Sequence, residues 1–165
     1  MTSGGLDTDF FAHMEEIDWC WRVKNQGHQI LYVPESQIFH MGGGTLSYQN
    51  PHKTYLNFRN NLFLILKNQP GHGAYLTIAF RFLLDFLALL NFAANKEWKN
   101  ALAVSRAHRQ FFLQLRRYYL KRKRLMPLVV QKEHPETYQG SVVWDFFAKG
   151  KTRFSQLRFN PRRTV

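Results

Sequence analysis

The sequence predicts a small α/β unit followed by a mainly α-helical, membrane-associating extension. Residues 15–26 carry apolar side chains at helical spacing. The runs 29–33 and 36–41 are rich in β-forming residues and are separated by a proline, which is typical of two short strands. From residue 74 to about residue 119 the apolar side chains return to helical spacing. These patterns define an α/β unit in residues 1–69 and a helical region after it.

The distribution of charge also divides the chain, after residue 50. Residues 1–50 contain two basic and six acidic side chains, whereas residues 51–165 contain 21 basic and five acidic ones. Apolar residues make up 45% of the chain, which excludes a protein that is disordered as a whole. The single cysteine, Cys20, cannot form an internal disulfide and is expected to be a small buried residue. An acidic piece joined to basic helices accounts for this division.

Three carboxylates stand close together and repel one another, and two interpretations explain how the chain accommodates them. Glu15, Glu16 and Asp18 fit the N-terminus of a helix, where acidic side chains complement the helix dipole and where Gly27 would end the helix. Alternatively, a cation, a metal or a sugar hydroxyl lies opposite them. The pattern alone leaves both interpretations open.

The motifs around these carboxylates are GGLDTDFFAHMEEIDWCWR, YVP, FHMGGGT and KTYLNFRNN, and they occur in this order over residues 4–68. Together they closely resemble the C-terminal part of family 2 glycosyltransferases, and the nearest branch is similar to the bacterial rhamnosyltransferase-like enzymes. The resemblance implies that residues 1–69 are the C-terminal portion of a GT-A type, Rossmann-like catalytic domain. It also implies transfer of a sugar, with inversion, from a nucleotide-sugar donor to a lipid-linked or polysaccharide acceptor, with Mg²⁺ or Mn²⁺ as cofactor.

By this resemblance the catalytic base maps onto Glu16. In the family the acidic pair is Glu-Asp, whereas here it is Glu15–Glu16. The second position therefore keeps a carboxylate, on a side chain that is one methylene longer. Such a base takes the proton from an acceptor hydroxyl as its oxygen attacks the anomeric carbon. Asp18 has two interpretations: it orients a catalytic neighbour, or it forms an i,i+4 ion pair with Arg22.

The resemblance also assigns residues that contact the substrates or the metal. Asp7, Trp21 and Arg22 are expected to bind substrate on the acceptor side. His40 is expected to bind the metal or the diphosphate, since imidazole suits both tasks. Arg59 is expected either to neutralise the diphosphate or to pair with one of the amino-terminal carboxylates.

In this family most of the nucleotide-binding half precedes the GGLD motif, which begins here at residue 4. The letters Asp7-Thr8-Asp9 match the metal-binding Asp-x-Asp element, but they lie inside the acceptor-side motif. We therefore expect the chain to be the C-terminal portion of a longer enzyme and to be inactive alone. The competing hypothesis is a non-catalytic module that binds a membrane or a partner protein and lacks the donor-binding half.

Residues 70–125 are predicted to form amphipathic, basic helices. The stretch 74–94 is the most apolar in the chain but contains Arg81 and Asp85, which favours a helix in the membrane interface over one that spans the bilayer. The next helix ends in a basic run that attracts anionic lipid. No nucleic-acid-binding signature accompanies this charge, so we expect peripheral binding to a membrane surface and no nucleic acid. The resemblance implies that this surface is the cytoplasmic face. Residues 126–165 are expected to form a tail with a short aromatic helix.

Overall fold

The structure is a computed structural model that describes residues 4–39, 50–138 and 140–159. The α-helices in these residues are α1 (Glu15–Asn25), α2 (Pro51–Asn68), α3 (Gly73–Ala94), α4 (Trp98–Leu125) and α5 (Val142–Phe147). Short 3₁₀ turns occupy Thr8–Phe10, Met126–Leu128 and Phe154–Gln156. The chain divides into two compact units, Met1–Val130 and Gln131–Val165.

The prediction of an α/β, Rossmann-like fold is wrong for the described residues, which are mainly helical and contain no strand. The first predicted strand, 29–33, is irregular, and so are residues 36–39 of the second. Residues 40 and 41 lie outside the described part. Every described residue from 28 to 39 is exposed. A strand needs a partner strand and a surface to cover its apolar side chains, and the described residues provide neither here.

α1 begins and ends close to where the sequence predicts. Glu15, Glu16 and Asp18 lie in its first turn, where their charges complement the helix dipole. After its last turn the chain reverses through Gly27, whose φ of 84° lies in the left-handed region that favours glycine. A side chain at Gly27 would also crowd Val130, since an added Cβ would lie 3.0 Å from the Val130 Cγ2 atom.

α2 is the central helix of the first unit. The Asn50 side chain accepts a hydrogen bond from the backbone N–H of His52, and Pro51 occupies the first turn, so the start of the helix is capped. Every residue from 62 to 68 is buried, because α2 packs against α1, α3 and α4. A helix that is buried all round is normally apolar, so the polar residues of this run require partners.

The hydrophobic core lies between α2 and α4. The rings of Phe63 and Tyr118 stack with 3.6 Å between their centroids, and Phe111 packs on Phe63 at 5.5 Å. Phe10, in the 3₁₀ turn before α1, meets the Tyr118 ring edge to face. The core therefore ties the amino-terminal segment to both long helices. Its buried members are Phe10, Leu62, Phe63, Leu64, Ile65, Leu66, Ile78, Phe111 and Tyr118.

α3 turns its charged residues inward and its apolar face outward. Asp85 is only 1% exposed, and its carboxylate contacts Arg81 on the same helix and His108 on α4. By length and composition α3 could cross a membrane. The apolar side chains on its outer face are between 46% and 75% exposed, and they are Tyr75, Leu76, Phe80, Leu83, Phe86, Leu87 and Leu90.

The second unit is organised around Asp145 on α5, the helix that corresponds to the predicted aromatic helix. This buried carboxylate forms ion pairs with Lys149 at 2.8 Å and with Lys151 at 3.0 Å. It also accepts a hydrogen bond from the Tyr138 hydroxyl. Hydrogen bonds from Lys149, Tyr138 and Lys151 hold the pKa of Asp145 below its usual value. A short helix with little core of its own is thus fixed by charge.

The stacked pair in the core generates a prediction about stability. Phe63→Ala removes a fully buried ring and leaves a cavity against Tyr118, so we expect the free energy of unfolding to fall by about 3–5 kcal/mol. Urea denaturation followed by circular dichroism measures the change. The control Leu102→Ala changes a side chain that is 63% exposed and is expected to stay within about 0.5 kcal/mol of the parent. Equal losses in the two variants would contradict this description of the core.

Candidate active site

Residues 11–14, which we call the strained loop, lead directly into α1. Phe11, His13 and Met14 have φ values of 63°, 66° and 73°, a region that residues other than glycine rarely adopt. Each such residue costs roughly 1–3 kcal/mol, and such conformations persist only where surrounding contacts hold them. Strain of this kind clusters at functional sites. The strained loop therefore marks the start of α1 as a candidate site.

Asn60 holds the strained loop in place. Its side-chain amide donates to the backbone carbonyl oxygens of Phe10, Ala12 and His13 at 3.0, 2.9 and 2.8 Å. Asn60 is itself fully buried on α2. One side chain thus fixes the path of the backbone through the loop, and the core packing of α2 fixes that side chain.

Arg59 reinforces the same contact. Its guanidinium donates to the carbonyl oxygens of Asp9 and Phe10 at 3.1 Å each, and it lies over the ring of Tyr55. It forms no ion pair with a carboxylate among the described residues. The predicted diphosphate contact stays a prediction, while the observed contacts are with the backbone that precedes the strained loop.

The two glutamates at the start of α1 differ in exposure. Glu16 is exposed, whereas Glu15 is partly covered and its Oε2 atom is buried. Glu15 Oε2, His13 Nε2 and Trp21 Nε1 are buried atoms that have no hydrogen-bond partner among the described residues. Buried polar atoms are normally paired, so these three have capacity for further hydrogen bonds. Glu16 is the carboxylate that solvent and a substrate can reach.

Asp18 lies inside the protein. It is fully buried, its Oδ2 atom meets Arg22 Nε at 2.9 Å and Lys67 Nζ at 2.8 Å, and its Oδ1 atom accepts from Asn68 at 2.7 Å. The ion pair with Arg22, one of the two roles considered for Asp18, is therefore present. These contacts attach α1 to the end of α2.

A second group of charges ties the amino-terminal segment to α4. Asp7 contacts Lys67 at 2.6 Å and Lys121 at 2.7 Å, and Asp9 contacts Lys121 at 2.6 Å and Arg117 at 2.6 Å. Burial of the Asp7 carboxyl group favours its neutral form, but hydrogen bonds from Lys121 and Lys67 outweigh this and lower its pKa from 3.8 to about 2. Asp7 is thus ionised and engaged with two lysines.

The other predicted site residues fall in different places. Arg22 is buried and also donates to the carbonyl oxygen of Gly5 at 2.5 Å. Trp21 packs partly buried against the core. His40 lies outside the described residues, and so do the glycines 42–44 that follow it.

The described residues do not fit a divalent metal. They contain no group of three His, Cys, Asp or Glu side chains that could hold one. Asp7 and Asp18 are surrounded by lysine and arginine side chains, which would repel a metal cation. The Mg²⁺ or Mn²⁺ expected from the resemblance stays a prediction.

Three buried polar residues of α2 had no predicted role: Asn60, Lys67 and Asn68. The signal that could have found them is their spacing, since Asn60 and Lys67 are seven positions apart and lie on one face of the helix. Polar residues within an otherwise apolar run require partners. Lys121 belongs to the basic run that the sequence predicts to attract anionic lipid, and only its position beside Asp7 and Asp9 shows its internal role.

Comparisons of this chain with protein families, with curated proteins and with solved structures find no match. The assignment of a function therefore rests on the motifs in the sequence and on the geometry described above.

The contacts of Asn60 generate a prediction. Asn60→Ala leaves the carbonyl groups of the strained loop without their donor, so we expect the free energy of unfolding to fall by roughly 2–3 kcal/mol. We also expect faster proteolysis within residues 11–14. The matched control is Asn61→Ala, which removes the neighbouring amide, for which no contact to the loop is seen. Thermal unfolding and limited proteolysis of both variants measure the difference. Equal behaviour of the two variants would show that Asn60 does not hold the loop.

The lowered pKa of Asp7 generates a prediction about pH. Because the folded value is about 2 and the ordinary value is 3.8, the ionised group stabilises the fold above pH 3.8, and this stabilisation is lost as pH falls through the folded pKa. Between pH 5 and pH 2 the parent protein should lose about 2 kcal/mol more stability than Asp7→Asn. Urea denaturation at both pH values measures this. Parallel losses in the two proteins would contradict the lysine contacts.

Proposed function

We propose that this chain carries the acceptor side of a family 2 glycosyltransferase. The reaction is the transfer of a sugar, with inversion, from a nucleotide-sugar to a lipid-linked or polysaccharide acceptor at the cytoplasmic face of a membrane. The motifs that support this proposal lie in the described residues 4–39 and 50–68, apart from the part of FHMGGGT after residue 39. The donor and the metal enter the proposal from the sequence resemblance alone.

The observation that carries the proposal is the exposed Glu16 at the end of the strained loop. Its carboxylate takes the proton of the acceptor hydroxyl while the hydroxyl oxygen bonds to the anomeric carbon. The bond from that carbon to the donor phosphate oxygen breaks, and the nucleoside diphosphate leaves with the electron pair. The loop that Asn60 holds in an unusual conformation fixes the backbone that leads to Glu16, which reduces the freedom that this residue loses when substrate binds.

The buried network supports the same assignment by elimination. Asp7 and Asp18 are each engaged by two cationic side chains, so they position the segment and are poorly placed to accept a proton from substrate. Glu15 shares the start of α1 with Glu16 but points at least one carboxylate oxygen into the protein. Glu16 is the carboxylate of this cluster that combines exposure with a fixed backbone.

The location at a membrane is supported by α3. Its outer face is apolar and exposed over most of its length, while Asp85 and Arg81 are turned towards the protein. A helix at the surface of a water-soluble protein normally turns its apolar face towards the core and its charged residues towards water, whereas α3 does the opposite. Exposed apolar faces of this extent are typical of membrane or protein contact.

Replacement of one glutamate tests the reaction. Because the chain is expected to be inactive alone, membranes from cells that express it together with the nucleotide-binding half of a family 2 glycosyltransferase are incubated with radiolabelled UDP-, dTDP- and GDP-sugars. Label is then measured in lipid-extractable and polymeric fractions. Glu16→Gln removes the base, so we expect transfer to fall about 100-fold or more. The matched control Glu35→Gln changes another exposed glutamate and should leave transfer unchanged. Transfer that survives Glu16→Gln would overturn the assignment of the base.

A second candidate function is the non-catalytic module that binds a membrane. The exposed apolar face of α3 favours it, because this surface serves membrane binding whether or not a reaction follows. The two functions differ in the same assay. If the nucleotide-binding half is supplied and membranes with the chain show no transfer above membranes without it, the module is favoured, whereas transfer that depends on Glu16 would exclude the module.

A further inference from the structure

The outer face of α4 carries leucine and arginine in alternation. These residues lie three, four or seven positions apart, so they fall on one side of the helix. All of them are exposed, whereas Val104, Ala107, Phe111 and Tyr118 on the opposite side are buried. We call this surface the Leu–Arg stripe, and it consists of Leu102, Arg109, Leu113, Arg116, Leu120 and Arg124.

The basic residues at the end of α4 divide into two groups. Arg117 and Lys121 form ion pairs with Asp9, and Arg122 is buried, where it donates to backbone carbonyl oxygens that include Leu66 O and Gln69 O. These three stabilise the fold. The arginines of the Leu–Arg stripe form no ion pair with a carboxylate among the described residues, so their charge faces solvent.

A groove runs along the second half of the Leu–Arg stripe. Its volume is about 460 Å³, and no carboxylate lines it. Its walls are Leu113, Arg116, Arg117, Leu120, Lys121 and Arg124. A surface that combines guanidinium groups with exposed leucines and lacks acidic residues is complementary to an anion that is attached to an apolar chain.

Next to the stripe, an aromatic contact joins α4 to α3. Phe112, the residue before Leu113, is 60% exposed, and its ring stacks on Phe82 of α3 at 5.5 Å. Phe82 is half-buried and also packs against Phe111 of the core, and the next residue, Leu83, is exposed. The Phe82–Phe112 contact is therefore flanked in sequence by the exposed side chains of Leu83 on α3 and Leu113 on α4.

We propose that the Leu–Arg stripe binds the phosphate headgroups of anionic phospholipids and makes attachment of this protein to a bilayer depend on lipid charge. The inference rests on the membrane location proposed above and adds the lipid class and the residues that select it. The leucines enter the boundary between headgroups and acyl chains, while the arginine side chains extend to the phosphates.

The spacing of the arginines favours a bilayer over a single soluble anion. Arg109, Arg116 and Arg124 are seven and eight positions apart, which corresponds to about 10–12 Å along the helix. They therefore contact separate phosphate groups, as a lipid surface offers them. Nucleic acid also offers a row of phosphates, but it would leave Leu113 and Leu120 exposed to water. Of the two surfaces, only a bilayer offers an apolar layer that would cover the alternating leucines.

Binding of the full chain to vesicles tests the inference. Vesicles are made of phosphatidylcholine alone or with one third phosphatidylglycerol, and the bound fraction is measured by flotation. We expect tighter binding to the anionic vesicles. The triple variant Arg109→Gln, Arg116→Gln, Arg124→Gln should bind them about 100-fold more weakly, because each basic residue contributes a factor of about five near an anionic surface. Its binding to phosphatidylcholine vesicles should be unchanged.

A matched control removes the same charge elsewhere. Lys132→Gln, Arg153→Gln, Arg158→Gln changes three exposed basic residues of the second unit and should retain most of the binding to anionic vesicles. An equal loss in both triple variants would overturn the assignment to the stripe. Circular dichroism confirms that each variant is folded, as expected for changes at exposed positions.

The remaining outcomes separate this inference from the proposed function. Equal binding of the parent protein to both vesicle types would leave the membrane location standing and overturn the role of lipid charge. Binding to neither type would overturn both. If the stripe instead contacts a second copy of the chain, sedimentation will show a dimer that Leu113→Gln, Leu120→Gln dissociates, and the arginine variant will bind vesicles as the parent does. That result would also overturn the inference.

Discussion

The first unit depends most on the ion pairs of Lys67. This residue is 3% exposed, and its Nζ atom lies 2.6 Å from the Asp7 carboxylate and 2.8 Å from the Asp18 carboxylate. One buried cation thus joins the amino-terminal segment and α1 to the end of α2. A buried charge stabilises a fold only while its partners are in place, and loss of one partner typically costs about 3–5 kcal/mol. The surrounding hydrogen bonds from Arg22 and Asn68 to Asp18 complete the network.

This network divides the acidic side chains near the amino terminus into two groups, one neutralised by basic side chains and one exposed to solvent. The carboxylates that face α2 and α4 are neutralised by lysine and arginine and hold the segment in position. The carboxylate of Glu16, on the outer side of the first turn of α1, remains in solvent. Asn60 then sets the path of the backbone between the two groups. The positions of the proposed base and of the exposed apolar face of α3 are linked, because α2 contacts α1, α3 and α4.

The sequence was a good guide to helices and a poor guide to strands. The acidic first turn of α1 and its end before Gly27 follow from capping and from helical periodicity, which depend on neighbours within about four positions. The runs 29–33 and 36–39 are β-rich in composition but irregular in the structure. β-Propensity expresses packing against neighbouring strands, so without such neighbours it does not produce a strand.

The sequence by itself determined the approximate positions of α1, α3, α4 and α5, the separation of acidic and basic regions, and the motifs from which the reaction is proposed. Only the tertiary structure decided which charged residues are internal. Asp18 and Lys67 are 49 positions apart, and Asp7 and Lys121 are 114 apart, so no local pattern pairs them. The physical reason is that burial sets the role of a charge: the carboxylate of Asp18, taken out of water, must meet a cation, whereas the carboxylate of Glu16, two positions earlier, stays solvated.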